Sequence, residues 1–584
     1  MKNINSFLLG FIFIPLLSCS DSSNDPIAEE PVVVTPIGSK PATEGIRIAW
    51  DYTTLTQISD KNSSDYNGYA RLIQLDSKKM ICTYEAGGAI LVKTSNDLGT
   101  TWSAPIKVIS GTASVNMTTP DILQLKDGSI LICYNPRPIA NNSGANFSIN
   151  TIKSIDGGLT WTDNKIVYEA AAEFENGCWE PSALQLPSGE VQLFFSNENV
   201  YRSSNEQNIS LLRSADNGST WSTTPEIVSF RSGKRDGMPS PILLKNQNEI
   251  VFSIEDNGTN NQFKPYIIRN TLSENWKQTV DASSNNRNYA LAEEINVAAY
   301  AGAPYLAQLS TGEVLMSYQG TENRATNDIN NAEMKVVIGT NQARNFDRKS
   351  VPFLISAEKS ALWNSIAVLD DDTVIALTTT NQFGNSSQVW MIKGRVLPEI
   401  NAANATAVID GQSNEVEWKK TSPVFIGQNG PTQLEANFSY DASFLYVFAK
   451  VKDSEVVNAN SIGESDGFNL YLDPKNQNLV APGNSIFKLE FGQTAAFSIY
   501  EGENSQWKKS DKIQGIVSTT VKTATGYQIE AKIPWSLLGG IPSKQTRMGC
   551  NVELRTKGGT SYLESISSNI AEKPYSWSSL KLNN

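Results

Sequence analysis

The 584-residue chain contains no histidine. That absence excludes Ser-His-Asp and Cys-His catalytic arrangements and every histidine-bearing zinc site. Any chemistry falls to carboxylates, tyrosine, lysine or a bound ion. Cysteine is scarce, with five in all, and none has metal-ligand spacing. Cys82 and Cys133 lie inside apolar strand-like runs, where free buried thiols are expected. No disulfide, metal or cofactor is predicted. Basic residues are outnumbered 48 to 60, for a net charge of -12, so the clustered basic face that nucleic acid requires is not expected. The N-terminal apolar run, Phe7 to Leu17, is too short to cross a bilayer. What is plentiful is glycine (39), tyrosine (19) and tryptophan (12), which points to an all-β chain with many turns. The length exceeds one hydrophobic core and predicts two to four domains.

Lys2, the apolar run and the sequence Leu16-Leu17-Ser18-Cys19 form a secretory signal. Its ending resembles the lipobox of bacterial lipoproteins, which makes residues 1–19 a signal peptide with lipobox and Cys19 the lipidated residue. Residues 20–45, with Pro26, Pro31, Pro36 and Pro41, cannot bury a core and read as a flexible linker. The acidic residues after Cys19 resemble the surface-export signal of Bacteroidetes lipoproteins. This implies an extracytoplasmic protein, lipid-anchored to the outer membrane and facing the cell surface. A monomer is expected.

One pattern recurs along the first two thirds of the chain: a small residue or Pro, an apolar strand ending in Leu, a turn, and a second apolar strand. The closing leucines are Leu75, Leu125, Leu186, Leu244, Leu309 and Leu369, at intervals of 50, 61, 58, 65 and 60. Each interval holds a hairpin and two further strands, which is one propeller blade. Six copies predict a six-bladed β-propeller over residues 46–398. Three blades carry a turn signature: Ser95 to Trp102, Ser154 to Trp161 and Ser214 to Trp221, each Ser-x-Asp-x-Gly-x-Thr-Trp. The Asp accepts turn N–H groups, the Gly takes positive φ, and the Trp packs under the loop. These segments resemble the Asp-boxes of the sialidase-like superfamily; Leu272 to Trp276 reads as a decayed fourth. Their aspartates sit on different blades at the outer rim and cannot converge, so their expected role is structural.

Hairpin geometry predicts where a pocket forms. The residues leading into each first strand (Tyr69, Thr119, Glu180, Met238, Ala303, Trp363) and leaving each second strand (Glu85, Asn135, Ser196, Glu255, Gln319, Thr379) fall at one mouth of the channel. Glu180, in Trp179-Glu180-Pro181, and Glu255, in Ile254-Glu255-Asp256, lie on adjacent blades. Two facing carboxylates are what glycosidic cleavage needs, one as proton donor and one as nucleophile or base. Arg71, Glu85, Asp121, Asp236 and Gln319 are candidates for bonding sugar hydroxyls. Trp179 and Trp363 are candidates for stacking on a sugar face.

The propeller resembles glycoside hydrolase family 93, the exo-acting α-1,5-L-arabinanases, most specifically in Trp179-Glu180-Pro181 followed by Val191 to Ser196. The resemblance implies Glu180 as nucleophile and Glu255 as acid/base of a retaining mechanism. True sialidases hold a substrate carboxylate with three arginines, whereas Arg71 is the only arginine in or beside either ring and lacks the Pro of the Arg-Ile-Pro motif. An exo-α-sialidase nevertheless stays open, because Arg235, Arg324 or another loop arginine could reach in.

After Leu397-Pro398 the pattern changes. Val408-Ile409-Asp410-Gly411, Glu417-Trp418, Phe444 to Asp453, Ser465 to Pro474 and Gly526 to Trp535 read as the strands of a β-sandwich. In this order they resemble the family 9-like carbohydrate-binding domain, over residues 402–584. Either this module binds glycan or it is a spacer packed on the propeller. For the whole chain the leading expectation is a surface-anchored glycoside hydrolase with an oligo- or polysaccharide substrate. The alternative outside the enzymes is a glycan-binding lipoprotein that uses the propeller mouth as a receptor.

Overall fold

The computed structural model describes residues 46–583, apart from 62, 142, 246–247, 413–417, 419–420, 422, 427–431, 460, 478, 480, 542–546, 558–561 and 566–570. Residues 1–45, including Cys19, lie outside the described residues.

Five antiparallel four-stranded sheets, and a sixth set of four strands continuous with the C-terminal sheet, follow one another as blades. In blade 3, for example, Cys178–Gln185, Val191–Asn197, Asn208–Ser214 and Glu226–Ser229 run outward from the axis in sequence order. Blade 6 departs from this order. It takes Leu362–Val368, Val374–Thr380 and Gln388–Asn404 from the end of the repeat region, and its outer strand is Ile46–Gln57. The register runs from Ile46 opposite Pro398 to Gln57 opposite Trp390, so the first described strand is hydrogen-bonded to the last blade and closes the ring. Second strands such as Val191–Asn197 and Val374–Thr380 are buried along their whole length. Their side chains fill the layers between blades, as where Phe194, Phe252, Ile268 and Trp276 pack blade 3 on blade 4.

Every first strand carries a β-bulge near its start. In blade 1 the register shifts between Gly68 and Arg71, so that two residues oppose one. The other blades shift at the equivalent place. The first bulged residue is left-handed in all six: Tyr69 (φ 54°), Thr119 (44°), Glu180 (44°), Met238 (53°), Ala303 (48°) and Trp363 (54°). That conformation is uncommon for non-glycine residues and marks a position held by its surroundings. Proline follows at 120, 181, 239 and 304. Lacking an N–H, it suits a site where the bulge has removed the ladder partner.

The Asp-boxes lie at the opposite end of the blades, between third and fourth strands. The Asp156 carboxylate accepts from the Thr160 N–H at 2.9 Å, the Leu159 N–H at 3.0 Å and the Ser154 hydroxyl at 2.8 Å. Trp161 Nε1 closes the loop on Gly158 O at 3.2 Å. Asp97 and Asp216 repeat the arrangement. The decayed copy keeps a buried tryptophan, Trp276, bonded to Gln192 Oε1 at 3.2 Å. Cys82, Cys133, Cys178 and Cys550 are free and buried.

The strand Gln388–Asn404 does not stop at the end of the propeller. Its last residues pair in parallel with Ser578–Leu582 and Gln433–Tyr440, carrying the chain into a folded-over β-sandwich. The sandwich core gathers side chains such as Phe438, Val447, Phe468, Leu489, Ile529 and Val552. The segment around Asp410-Gly411 is held by buried Glu530, which accepts from both N–H groups and from Trp418 Nε1. Glu399 marks the junction. It is 1% exposed and its Oε2 accepts from Arg348 Nη1 of the propeller at 3.1 Å and from Arg547 Nε of the sandwich at 2.5 Å.

Candidate active site

The bulges build the site. The left-handed turn frees the N–H of each leading residue from the ladder and aims it at the preceding blade. In five of six junctions it finds the side chain of the residue leaving that blade's second strand. Tyr69 donates to Thr379 Oγ1 (3.1 Å), Thr119 to Glu85 Oε2 (2.7 Å), Met238 to Ser196 Oγ (2.9 Å), Ala303 to Glu255 Oε2 (2.8 Å) and Trp363 to Gln319 Oε1 (2.8 Å). At the junction of blades 2 and 3 the connection is made by Arg137 instead. Its Nε donates to Asn135 Oδ1 at 2.7 Å and its Nη2 to Glu180 Oε1 at 2.9 Å. The two rings of residues are therefore stitched together at one end of the channel.

Four leading residues, Tyr69, Met238, Ala303 and Trp363, pack together there as an apolar floor. Beneath it, Arg71 lies between the rings of Tyr69 (4.0 Å) and Tyr305 (4.7 Å). Asp121 accepts from the Ser182 hydroxyl at 2.5 Å and the Tyr305 hydroxyl at 3.2 Å. Above and to one side the mouth is polar. Glu180, Glu255 and Glu85 are half-buried there, with Arg137, Arg235 and the buried Glu198. Arg235 is paired with Glu198, which also accepts from Gln207 Nε2 at 2.9 Å.

The two central glutamates have different surroundings. Burial raises the Glu180 carboxyl, and the Arg137 guanidinium in contact with it pulls the other way. Among the described residues Glu255 forms no ion pair. Burial, reinforced by the charge of Glu180, pushes its carboxyl up to about 7 despite the Ala303 N–H. Space around Glu255 is kept by glycine. A Cβ on Gly302 would sit 2.5 Å from Glu255 Oε2 and 2.4 Å from the Tyr300 hydroxyl. Burial also raises Glu85, against the Thr119 N–H and Arg137. This arrangement provides one carboxyl raised to about 7 and a second whose rise on burial is opposed by a cation in contact with it.

The secondary candidates divide. Trp179 lines the mouth half-buried, 4.7 Å from Phe147 and under Arg137 at 4.8 Å. Trp363 and Glu85 are also partly exposed there. Four expected sugar contacts instead face protein. Arg71 (3% exposed) and Asp121 (5%) are sealed below the aromatic floor. Gln319 is fully buried with Nε2 on the Tyr300 hydroxyl and Oε1 on Trp363 N. Asp236 is fully buried against Arg287 and the Ser229 hydroxyl. Arg324 is held by the carbonyls of Asn331, Ser356 and Lys359. Arg137, Glu198 and Tyr300 reach the mouth from positions outside the two aligned rings. Arg137 stands two residues beyond the ring position Asn135, on a strand that runs on through Pro138, so its placement follows from strand length and not from the repeat.

Residues 82–259 match the family described as BNR repeat-like domain, and residues 408–581 match the carbohydrate family 9 binding domain-like family. The chain thus pairs a sialidase-like propeller with a CBM9-like domain. Among curated proteins it is 28% identical over 198 residues to endo-1,4-β-xylanase A of Thermoanaerobacterium saccharolyticum, covering 33% of this chain and 16% of that protein. Among solved structures, an α-L-arabinofuranosidase of Fusarium graminearum in complex with an iminosugar inhibitor aligns at TM-score 0.44 and 16% identity, over 58% of this chain and 96% of that one. An α-L-arabinanase of Penicillium chrysogenum complexed with arabinobiose aligns at TM-score 0.43 and 15% identity, over 59% and 97%.

Proposed function

We propose that this protein is a glycoside hydrolase whose propeller mouth cleaves a neutral glycan by a retaining mechanism. Glu180 acts as nucleophile and Glu255 as acid/base. The observation that carries the reading is the unequal pair: Glu180 in contact with Arg137, and Glu255 without an ion-pair partner among the described residues and raised to about 7. An ionised Glu180 attacks the anomeric carbon while protonated Glu255 gives its proton to the departing glycosidic oxygen. Water then enters, deprotonated by Glu255, and releases the sugar with its original configuration. The floor of Tyr69, Met238, Ala303 and Trp363 closes the pocket below, which favours attack at a chain end.

An arabinan-type substrate is proposed from the likeness of Trp179-Glu180-Pro181 and its partner glutamate to family 93. The sialidase alternative is disfavoured by charge. Both arginines at the mouth are already paired, Arg137 with Glu180 and Arg235 with Glu198, leaving neither free to clamp a substrate carboxylate. Assay of the purified protein on linear arabinan, aryl α-L-arabinofuranosides and sialyllactose, with the anomer of the first product followed by NMR, tests the proposal. Release of an α-configured arabinose product is expected; sialic acid release, or no cleavage with retained glycan binding, would replace it with one of the alternatives. Lipid anchoring through Cys19 belongs to the same proposal, and Cys19→Ala should move the protein from the membrane fraction to the soluble one.

A further inference from the structure

A cavity opens beside the mouth, between the loop that joins the second and third strands of blade 3 after Asn197 and the loop that enters blade 4 before Asp236. It measures about 530 Å³ and is lined by Ser204, Asn205, Ser232, Lys234, Arg235 and Asn257, together with Glu206 and Gly233. Among the described residues, no aliphatic or aromatic side chain lines it. Glu206 is engaged in shaping the rim, accepting from the Gly233 N–H at 2.6 Å and the Ser204 hydroxyl at 2.7 Å. Two residues join this cavity to the site. Arg235 lines it while its guanidinium pairs with Glu198 in the mouth. Asn257 stands two residues beyond Glu255, and its Oδ1 accepts from the Arg235 N–H at 2.9 Å. The cavity therefore begins where the strand carrying the acid/base ends.

We infer that this cavity is a subsite for the sugar units on the leaving-group side of the scissile bond. The inference rests on the glycosidase reading of the mouth. Glu255 must face the departing oxygen, and a chain continuing from that oxygen meets the cavity next. The lining offers amides, hydroxyls and an ammonium. Its one carboxylate is already bonded to the rim and its one guanidinium is neutralised, which suits a neutral, hydroxyl-rich unit and not an apolar aglycone. Its volume is of the size that holds a sugar-sized ligand.

The test uses the full-length protein silenced by Glu255→Gln, with and without Ser232→Trp, which puts an indole into the cavity from an exposed position. Both are titrated calorimetrically with α-1,5-linked arabino-oligosaccharides of one to five units. Affinity should rise at least tenfold from one unit to four in the first protein. In the Ser232→Trp protein it should stay near the single-unit value at every length. A flat series in the first protein, an equal rise in both, or no binding at any length would overturn the subsite. Turnover of an aryl α-L-arabinofuranoside by the wild-type protein reports on the glycosidase reading separately. Turnover with a flat length series would remove the subsite and leave that reading standing.

Discussion

Arg137 reaches from the neighbouring blade to place its Nη2 2.9 Å from Glu180 Oε1, while its Nε donates to Asn135 Oδ1 of its own blade at 2.7 Å. No comparable cation touches Glu255 among the described residues. One geometry thus places two carboxylates of similar burial in unequal electrostatic surroundings, burial being opposed by a guanidinium in contact at Glu180 and reinforced by a neighbouring carboxylate at Glu255.

Glu180→Gln and Glu255→Gln are each expected to cut turnover by about a thousandfold or more, because each removes a chemical step. Both should retain the wild-type melting temperature. A substrate with a good leaving group needs little protonation, so it should partly rescue Glu255→Gln and not Glu180→Gln. Added azide should give a glycosyl azide only with Glu255→Gln. In the wild type, kcat/KM should fall as pH rises through about 7, where Glu255 loses its proton. It should fall again on the acid side as Glu180 becomes protonated. The alkaline limb should vanish in Glu255→Gln assayed on the activated substrate; its persistence there would mean that another group is the acid.

Arg137→Met should act through Glu180. Without the guanidinium, burial is less opposed and the Glu180 carboxyl rises further above its ordinary value. The acid limb should then move to higher pH and narrow the active range, while the alkaline limb stays in place. Maximal kcat/KM should drop by roughly tenfold to a hundredfold, since an ion pair of this kind contributes a few kcal/mol at most. Arg137→Lys should recover part of the lost range. An unchanged acid limb in Arg137→Met would separate Arg137 from the chemistry.

Much of this was legible in the sequence because it repeats. The closing leucines spaced the six blades, and the alignment that they imposed singled out the very residues that the backbone turns left-handed, from Tyr69 to Trp363. The Gly of each Asp-box and the Pro after four of the bulges carried conformational information directly. Three things were not legible. The outer strand of blade 6 comes from Ile46–Gln57, far away in sequence, and nothing local announces that pairing. Side-chain direction beyond a bulge inverts face parity, so Arg71 and Asp121, two residues past the ring, went under the floor instead of into the pocket. Arg137 and Glu198 reach the mouth from strand extensions and loops outside the repeat.

The Asp-boxes should matter for stability and not for turnover. The Thr160 hydroxyl and N–H, with Ser154, hold the Asp156 carboxyl down to about 2. A carboxylate depressed on folding contributes stability that is complete above its unfolded value near 4 and is lost as pH falls through about 2. Asp156→Ala should therefore lower the melting temperature at pH 7, with the deficit shrinking below pH 4. The kcat measured well below the transition should match wild type. A thousandfold loss of turnover would contradict the structural reading of the boxes.

The junction between propeller and sandwich gives the last prediction. Removing residues 402–584 is the direct way to ask whether the CBM9-like domain anchors the enzyme on polysaccharide. That cut, however, takes Arg547 from buried Glu399 and leaves the end of the strand Gln388–Asn404 without the partners Ser578–Leu582. Any loss of activity would then mix lost glycan retention with a damaged blade 6. Glu399→Leu separates the two, because it breaks the Arg348–Glu399–Arg547 contact and leaves both cores intact. Losing the shared carboxylate of a buried pair costs about 3–5 kcal/mol where both partners are buried. Arg547 is a third exposed, so the loss here should fall toward the lower end of that range. Calorimetry should show the wild type unfolding with propeller and sandwich coupled, and Glu399→Leu unfolding in two resolved transitions. Polysaccharide retention should persist in this variant if the sandwich binds glycan by itself. A single transition at the wild-type temperature would show that the buried contact does not couple the domains.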